Sequence, residues 1–279
     1  MNRRPVFLIT VLCFGFAFFY IPILSMVVYS FNGSRLATVW GGFSTKWYVS
    51  LFNNSQVWAA LILSLKIALV SATVATILGT MAGIALARFR RFRGRLLFSG
   101  LVTGPLIMPE VITGISSLML FILMAEWIGW PGKRGFTTIT LAHITFSMVF
   151  VTTVIQARMV QADRAIEEAA MDLGSRPWQV LFDVTLPVIF PAILSGWLLA
   201  FTISLDDVVI TSFTSGPGST TLPLLIWSKV KLGVTPDINA LATLMVLSVG
   251  IGVALAGVVM NRAEARRLAD ERLAFRTNG

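Results

Sequence analysis

Glu110, Asp206 and Asp207 are carboxylates set deep inside apolar runs. An ionised carboxylate at the centre of a membrane-crossing helix costs about 2.5–3.5 kcal/mol on the insertion scale, so each needs a partner or a purpose. Two purposes fit: hydrogen bonding within a helix bundle, or lining the route of a cation. Asp206 and Asp207 are neighbours, and on a continuous helix neighbours diverge by about 100°. The expectation is therefore that one lines a path, while the other caps a neighbouring helix or meets a partner subunit. His143 is the only histidine and reads as a packed one. Paired with Ser116 or Ser117 of the GISS run (114–117) it could formally serve an intramembrane serine protease. One serine run and one histidine are weak grounds for that chemistry. Cys13 is the sole cysteine and lies in an apolar run, which leaves neither a disulfide framework nor a cysteine metal site. No catalytic residue and no metal ligand is expected.

The second cluster of informative residues is hydrophilic. RMVQADRAIEEAAMDLGSRPWQVLFDVTLP, residues 158–187, interrupts the apolar pattern with helix-forming sequence. Ile166, Ala169, Ala170 and Leu173 share one helical face, and Gly174 can supply the positive φ that ends such a helix. Pro177 suits the first turn of a second helix, which presents Trp178, Val180, Leu181 and Val184 before Pro187 is expected to stop it. The loop reads as two short helices with a sharp turn. Asp163, Glu167, Glu168, Asp172 and Asp183 disfavour an anionic lipid surface, so a protein partner is the better reading.

These residues are carried by a strongly apolar chain. Hydrophobic residues make up 56% and charged residues 13%, with a mean hydropathy of +0.82; soluble chains carry roughly 25% charged residues. Runs long enough to cross a bilayer fall near residues 6–30, 59–87, 96–126, 137–157, 188–214 and 239–260. The expected fold is all-α and integral to the membrane, with about six transmembrane helices in a single domain, 1–279. Gly104, Pro105 and Pro109 interrupt the third span, and Pro187 and Pro191 mark the start of the fifth. Arg3 and Arg4 before an apolar stretch resemble a signal peptide, but the stretch is too long and no small-residue cleavage site closes it, so it reads as an uncleaved first span.

The net charge of +9 is not a nucleic-acid signal, because the arginines flank apolar runs and form no basic face. Arg3, Arg4, Arg88, Arg90, Arg91, Arg93, Arg95, Arg158, Arg164, Arg176, Arg262, Arg266, Arg267, Arg272 and Arg276 lie on one side. The other side has only Arg35, Lys46, Lys133, Arg134, Lys229 and Lys231, and Lys66 lies within the second span. Cytoplasmic segments attract such an excess, which places both termini and the 158–187 loop on the cytoplasmic side. Trp40, Trp47, Trp58, Trp127, Trp130 and Trp227 fall near the outer boundary, where an indole can be half apolar and half wet.

The spacing Glu168-Ala169-Ala170, three residues, Gly174, nine residues, Val184-Thr185-Leu186-Pro187 resembles the EAA loop of ABC importer permeases, departing only in Val184 for the usual isoleucine. The resemblance implies a type I importer permease fold in which residues 158–187 form a coupling loop seated on an ATPase. Glu168 would pair with a basic group there, Ala169 and Ala170 would permit close approach, Gly174 would set the bend, and Leu186-Pro187 would close the motif. The chain lacks a G-x-x-x-x-G-K-[ST] phosphate loop, so it holds no cofactor itself, and ATP and Mg would be used by a separate polypeptide. Residues 201–244, 105–118, 38–48 and 131–135 further resemble permeases for putrescine and spermidine, above all the second permease subunit of putrescine importers. That likeness implies a distinct partner permease, two ATP-binding subunits and a periplasmic polyamine-binding protein. The last would meet residues 31–58 and Gly216-Pro217-Gly218. Glu110, Asp206 and Asp207 would line the cation's path. A secondary transporter would instead show inverted repeats and no docking loop.

Overall fold

The computed structural model describes residues 3–35, 39–89, 91–233, 235–248 and 250–251. Helices dominate, and among the described residues the only β pairing is an isolated bridge between Asn32 and Phe43. Among the described residues five helices are long and apolar enough to cross a membrane. Most of the expected sixth span, 239–260, and the basic residues from Arg262 onward lie outside the described residues. The chain divides into two compact units, one formed by residues up to Ser55 with those from Lys229 onward, the other by Gln56–Ser228.

The first unit holds α1 (Arg3–Ser30), α2 (Lys46–Phe52) and a helix over 236–248. None of the most apolar window of α1 is buried, so this helix presents its Phe, Leu and Ile side chains outward all round, as a lipid-facing span does. The turn after it is organised by the fully buried Asn32. Its side-chain oxygen accepts from the backbone N–H groups of Ser34 (3.1 Å) and Gly41 (2.8 Å), and its amide donates to Val39 O at 2.8 Å.

The second unit holds α3 (Ser55–Arg88), α4 (Arg95–Ile107), α5 (Glu110–Ile128), α6 (Phe136–Gln161), α7 (Arg164–Asp172), α8 (Pro177–Gln179), a π-helical turn (Val180–Thr185), α9 (Leu186–Asp206) and α10 (Val209–Thr214). It also takes in most of α11 (Leu222–Leu232). Its centre is α6, the membrane-length helix with the largest buried share. Val151, Ile155 and Met159 of α6 meet Ala72 of α3 and Ile189 and Ala200 of α9. At the other end, Ala142 and Phe146 meet Phe121 of α5 and Ile210 of α10.

Small residues set how closely α3 approaches α6. A Cβ built on Gly79 would lie 2.7 Å from Val151 Cβ, and one on Gly83 would lie 2.9 Å from Ile155 Cβ. The buried face of α3 is mostly Ala, Gly, Ser and Thr, with Val57, Ile67 and Leu86 among them, while Ile62, Leu65, Leu69, Ile77 and Leu78 point outward. In lipid there is no gain from hiding leucine, so close backbone packing and interhelical hydrogen bonds hold the bundle instead.

Two expected spans are broken. The run 96–126 is two helices, because Met108 takes an extended ψ of 137° ahead of Pro109, and Glu110 starts α5. Pro105, by contrast, sits inside α4. The run 188–214 is broken at Asp207, whose ψ of 128° ends α9 before α10 begins. Pro187 does not stop the preceding helix as expected. α8, the π turn and α9 run on as one helical stretch, Pro177–Asp206. The π turn explains this: Leu186 N–H bonds to Leu181 O, five residues back, and the widened turn accommodates a proline that has no N–H for the ordinary ladder.

Candidate functional site

The loop folds as its capping residues dictate. The Asp163 carboxylate accepts from Ala165 N–H at 2.9 Å and starts α7. At the other end Gly174 adopts φ +89°, Gly174 N–H bonds to Met171 O (2.9 Å), and Ser175 N–H bonds to Ala170 O (3.1 Å). That pair of bonds is the Schellman closure, which only a residue at ease with positive φ completes without strain. Gln179 then caps the next helix through Arg176 N–H at 2.8 Å. The expected helix, bend and second helix are all present.

Glu168 and Ala169 are exposed and Ala170 is half-buried. The face expected to bear Ile166 and Leu173 does not turn inward, since Ile166 is 51% and Leu173 88% exposed. Met171, Trp178 and Phe182 are exposed as well, and α7 has no buried residue at all. Around them stand Glu168, Asp172 and Asp183. Leu186 is half-buried and Pro187 exposed where the loop rejoins the bundle.

Sequence reasoning missed the adjacent Glu167. Its Oε1 accepts from Arg88 Nη2 at 2.8 Å and from Thr185 Oγ1 at 3.0 Å. The same guanidinium donates through Nη1 to Met159 O at 3.2 Å, and Arg95 Nη2 donates to Leu86 O at 3.1 Å. Arg88 and Arg95, read from sequence only as markers of sidedness, thus cap the C-terminal carbonyls of α6 and α3.

The second candidate region is the break between α9 and α10, and His143 is its hub. Buried to 2% exposure, His143 places Nδ1 at 2.7 Å from Ser204 Oγ, and Nε2 at 3.0 Å from Thr211 Oγ1 and 3.2 Å from Asp207 Oδ2. Ser204 Oγ in turn lies 2.8 Å from Ser71 Oγ on α3. An ionised Asp207 only accepts, so Nε2 carries a hydrogen toward it, and the Ser204 and Ser71 hydroxyls can rotate to complete the chain. Four helices therefore meet through one polar string.

Asp207 is committed elsewhere too. Its carboxylate accepts from Ile210 N–H (3.2 Å), Thr211 N–H (2.7 Å) and Thr211 Oγ1 (2.8 Å), capping α10. Sequence reasoning divided the two acids between capping and a path on the premise of a continuous helix. That premise fails, because Asp207 lies in the break. Of the two roles, capping falls to Asp207, while Asp206 on the last turn of α9 is exposed. Glu110 is likewise exposed, in the first turn of α5, where a carboxylate suits the helix dipole. Among the described residues neither Asp206 nor Glu110 makes an ion pair.

The serine-protease alternative has no geometry to support it. Ser117 donates to Thr113 O at 2.8 Å, and both nitrogens of His143 are engaged by Ser204, Thr211 and Asp207. Ser204 itself is buried and shared with Ser71. Among the described residues no group of His, Cys, Asp and Glu is placed to hold a metal ion.

Comparison with known proteins places this architecture. The chain is 54% identical over 274 residues to the putrescine transport system permease protein PotI of Escherichia coli, covering 97% of this chain and 98% of that one. It is 43% identical over 252 residues to the spermidine/putrescine transport system permease protein PotC of Haemophilus influenzae, covering 90% and 93%. In fold it is similar to a crystal structure of a bacterial ABC transporter that imports the acidic polysaccharide alginate, with a TM-score of 0.69 at 17% identity, covering 93% of this chain and 96% of that one. Residues 79–268 match the model of the binding-protein-dependent transport system inner membrane components. This multi-pass, all-helical chain belongs to that family.

Proposed function

We propose that the chain is a non-catalytic permease subunit of an ATP-driven importer that brings polyamines, putrescine or spermidine, into the bacterial cytoplasm. The observation that carries this is the near full-length 54% identity to a putrescine permease. Membrane chemistry adds to it: Asp206 and Glu110 are exposed carboxylates in membrane helices that pair with no cation among the described residues. A polyamine is a flexible multivalent cation, and moving one ammonium from water into an acid-free apolar path costs several kcal/mol. Carboxylates on the path offset that loss. Asp207, engaged by His143 and α10, contributes by holding the break open beside Asp206.

The 158–187 loop docks on a separate ATP-binding subunit. Ile166, Leu173, Trp178 and Phe182 form an apolar surface on a loop that belongs in water, and such surfaces mark protein interfaces. Glu168 and the neighbouring acids supply charge for a basic partner. ATP and Mg belong to that subunit, and a second, distinct permease completes the channel. A periplasmic binding protein delivers the cargo to the side bearing residues 31–58 and 216–218. The arginine-rich ends, Arg88 to Arg95 and Arg158 to Arg176, orient the loop and both termini toward the cytoplasm.

The test is ATP hydrolysis by the purified complex with binding protein added. Polyamine-loaded binding protein is expected to stimulate hydrolysis well above the empty form, and Glu168→Lys to remove the stimulation. Equal stimulation by loaded and empty forms would overturn the polyamine reading. Full stimulation in Glu168→Lys would overturn the docking assignment.

A further inference from the structure

Docking alone moves nothing. Closure of an ATPase reaches the membrane only if α7 is held to the membrane helices, and its apolar anchorage is slight, because none of its residues is buried and Ile166, which lines a small cavity with Val184, Val188 and Ile189, is 51% exposed. A nine-residue helix is also too short to persist by itself in water. Its tether is polar. Glu167 Oε1 accepts from Arg88 Nη2 at 2.8 Å, from Arg88 Nε at 3.3 Å and from Thr185 Oγ1 at 3.0 Å. Arg88 ends α3 and reaches Met159 O in the last turn of α6, while Thr185 closes the π turn from which α9 continues. One carboxylate oxygen thus joins the docking helix to α3, to the root of α9 and, through the guanidinium, to α6.

The surroundings strengthen this joint. The Arg88 and Glu167 side chains are 13% and 17% exposed, so water screens the pair far less than a surface pair. Thr185 is buried, and its hydroxyl has Glu167 as acceptor. The π turn is the one place along Pro177–Asp206 where the ladder is widened, and such turns are frequent at functional sites.

We propose that Arg88, Glu167 and Thr185 form the mechanical link of the importer, with Glu167 as a positioning residue that passes movement of the docking loop into α3, α6 and α9. This rests on the docking reading but separates two neighbouring acids: Glu168 faces the ATPase, and Glu167 faces inward.

The reconstituted complex tests it through the number of polyamine molecules imported per ATP hydrolysed. Glu167→Ala is expected to leave insertion, co-purification with the ATPase and ATP hydrolysis in place. The import-to-hydrolysis ratio should fall about tenfold, the change equivalent to losing one charge-assisted hydrogen bond. Glu167→Arg combined with Arg88→Glu, which restores opposite charges across the joint, should recover part of the ratio. A merely structural role would lower the amount of complex and leave the ratio untouched. An unchanged ratio in Glu167→Ala, or no recovery in the exchanged pair, would overturn the link. Loss of the ATPase from Glu167→Ala would overturn it as well, assigning Glu167 to the docking surface. If the ratio is unchanged while Glu168→Lys still loses stimulation, the docking reading stands and only the link fails.

Discussion

Replacing His143 by alanine removes the hub that joins α3, α6, α9 and α10, and the loss can be itemised from the geometry. Ser204 keeps Ser71 as a partner at 2.8 Å, and Thr211 keeps Asp207 at 2.8 Å, so neither is orphaned. Asp207 loses its 3.2 Å partner but retains Ile210 N–H and both groups of Thr211. The polar loss is therefore close to one charge-assisted bond, about 1.5–3 kcal/mol in a soluble protein and about 0.6–1.7 kcal/mol by the measure of interhelical bonds in membranes. The imidazole is 2% exposed, so its removal also leaves a cavity, and large-to-small changes at such sites cost about 2–5 kcal/mol. Packing outweighs polarity here. His143→Ala should destabilise the complex by about 3–5 kcal/mol, whereas His143→Phe, which fills most of the space, should cost only about 1–2 kcal/mol. Denaturant titration of the purified complex, followed by tryptophan fluorescence, measures both. Wild-type stability in both variants would refute the hub, and equal large losses would show that the polar string outweighs packing.

Other consequences follow from the same geometry. Gly79→Ala and Gly83→Ala each put a methyl group within 3 Å of Val151 or Ile155 and should each cost about 1–3 kcal/mol in the same titration; no change would mean that α3 and α6 are less closely apposed. Asp206→Asn should reduce polyamine uptake while leaving stability unchanged, and Asp207→Asn should reduce stability as well; the reverse pattern in paired uptake and melting measurements would exchange their roles. Trp178→Ala, which trims the exposed apolar surface of the loop, should weaken co-purification of the ATPase, and undiminished recovery would place the docking surface elsewhere. Asp237, at the start of the 236–248 helix, responds to pH. Burial pushes its carboxyl up, but hydrogen bonds from Lys229 (2.8 Å) and Thr235 outweigh this and hold it below the ordinary carboxylate range. Its contribution is therefore complete above the unfolded value of about 3.9 and is lost as pH falls through the lower folded value. Hydrogen exchange over residues 229–237 should stay protected down to about pH 4, and protection lost already above about pH 5 would contradict the pairing.

The spans within the described residues were legible because twenty apolar residues in a row have few other fates, and the helix–turn–helix of 158–187 because Gly174 and Pro177 are local stop and start signals. What sequence could not show is what distant residues do to one another. Pro105 and Pro191 sit inside helices while Pro109 heads a new one, so proline alone does not mark a break. The break at Asp207 has no proline or glycine to announce it; it exists because the carboxylate turns to cap α10 and meet His143, which lies 64 positions earlier in the chain. The motif spacing singles out Glu168, but nothing in the sequence gives Glu167 a partner; Arg88, which supplies one, lies 79 residues earlier. Asp206 and Asp207 do not diverge as neighbours on one helix: α9 ends between them, and Asp207 caps α10.

The most direct test is uptake of radiolabelled putrescine and spermidine into proteoliposomes holding the chain with its partner permease and ATPase. Loaded binding protein is supplied on the outer face and ATP on the inner. Accumulation is expected to require ATP, the binding protein and an intact Glu168, and to fall in Asp206→Asn. Polyamine accumulation without ATP, or ATP-driven import of some other solute with none of either polyamine, would contradict it.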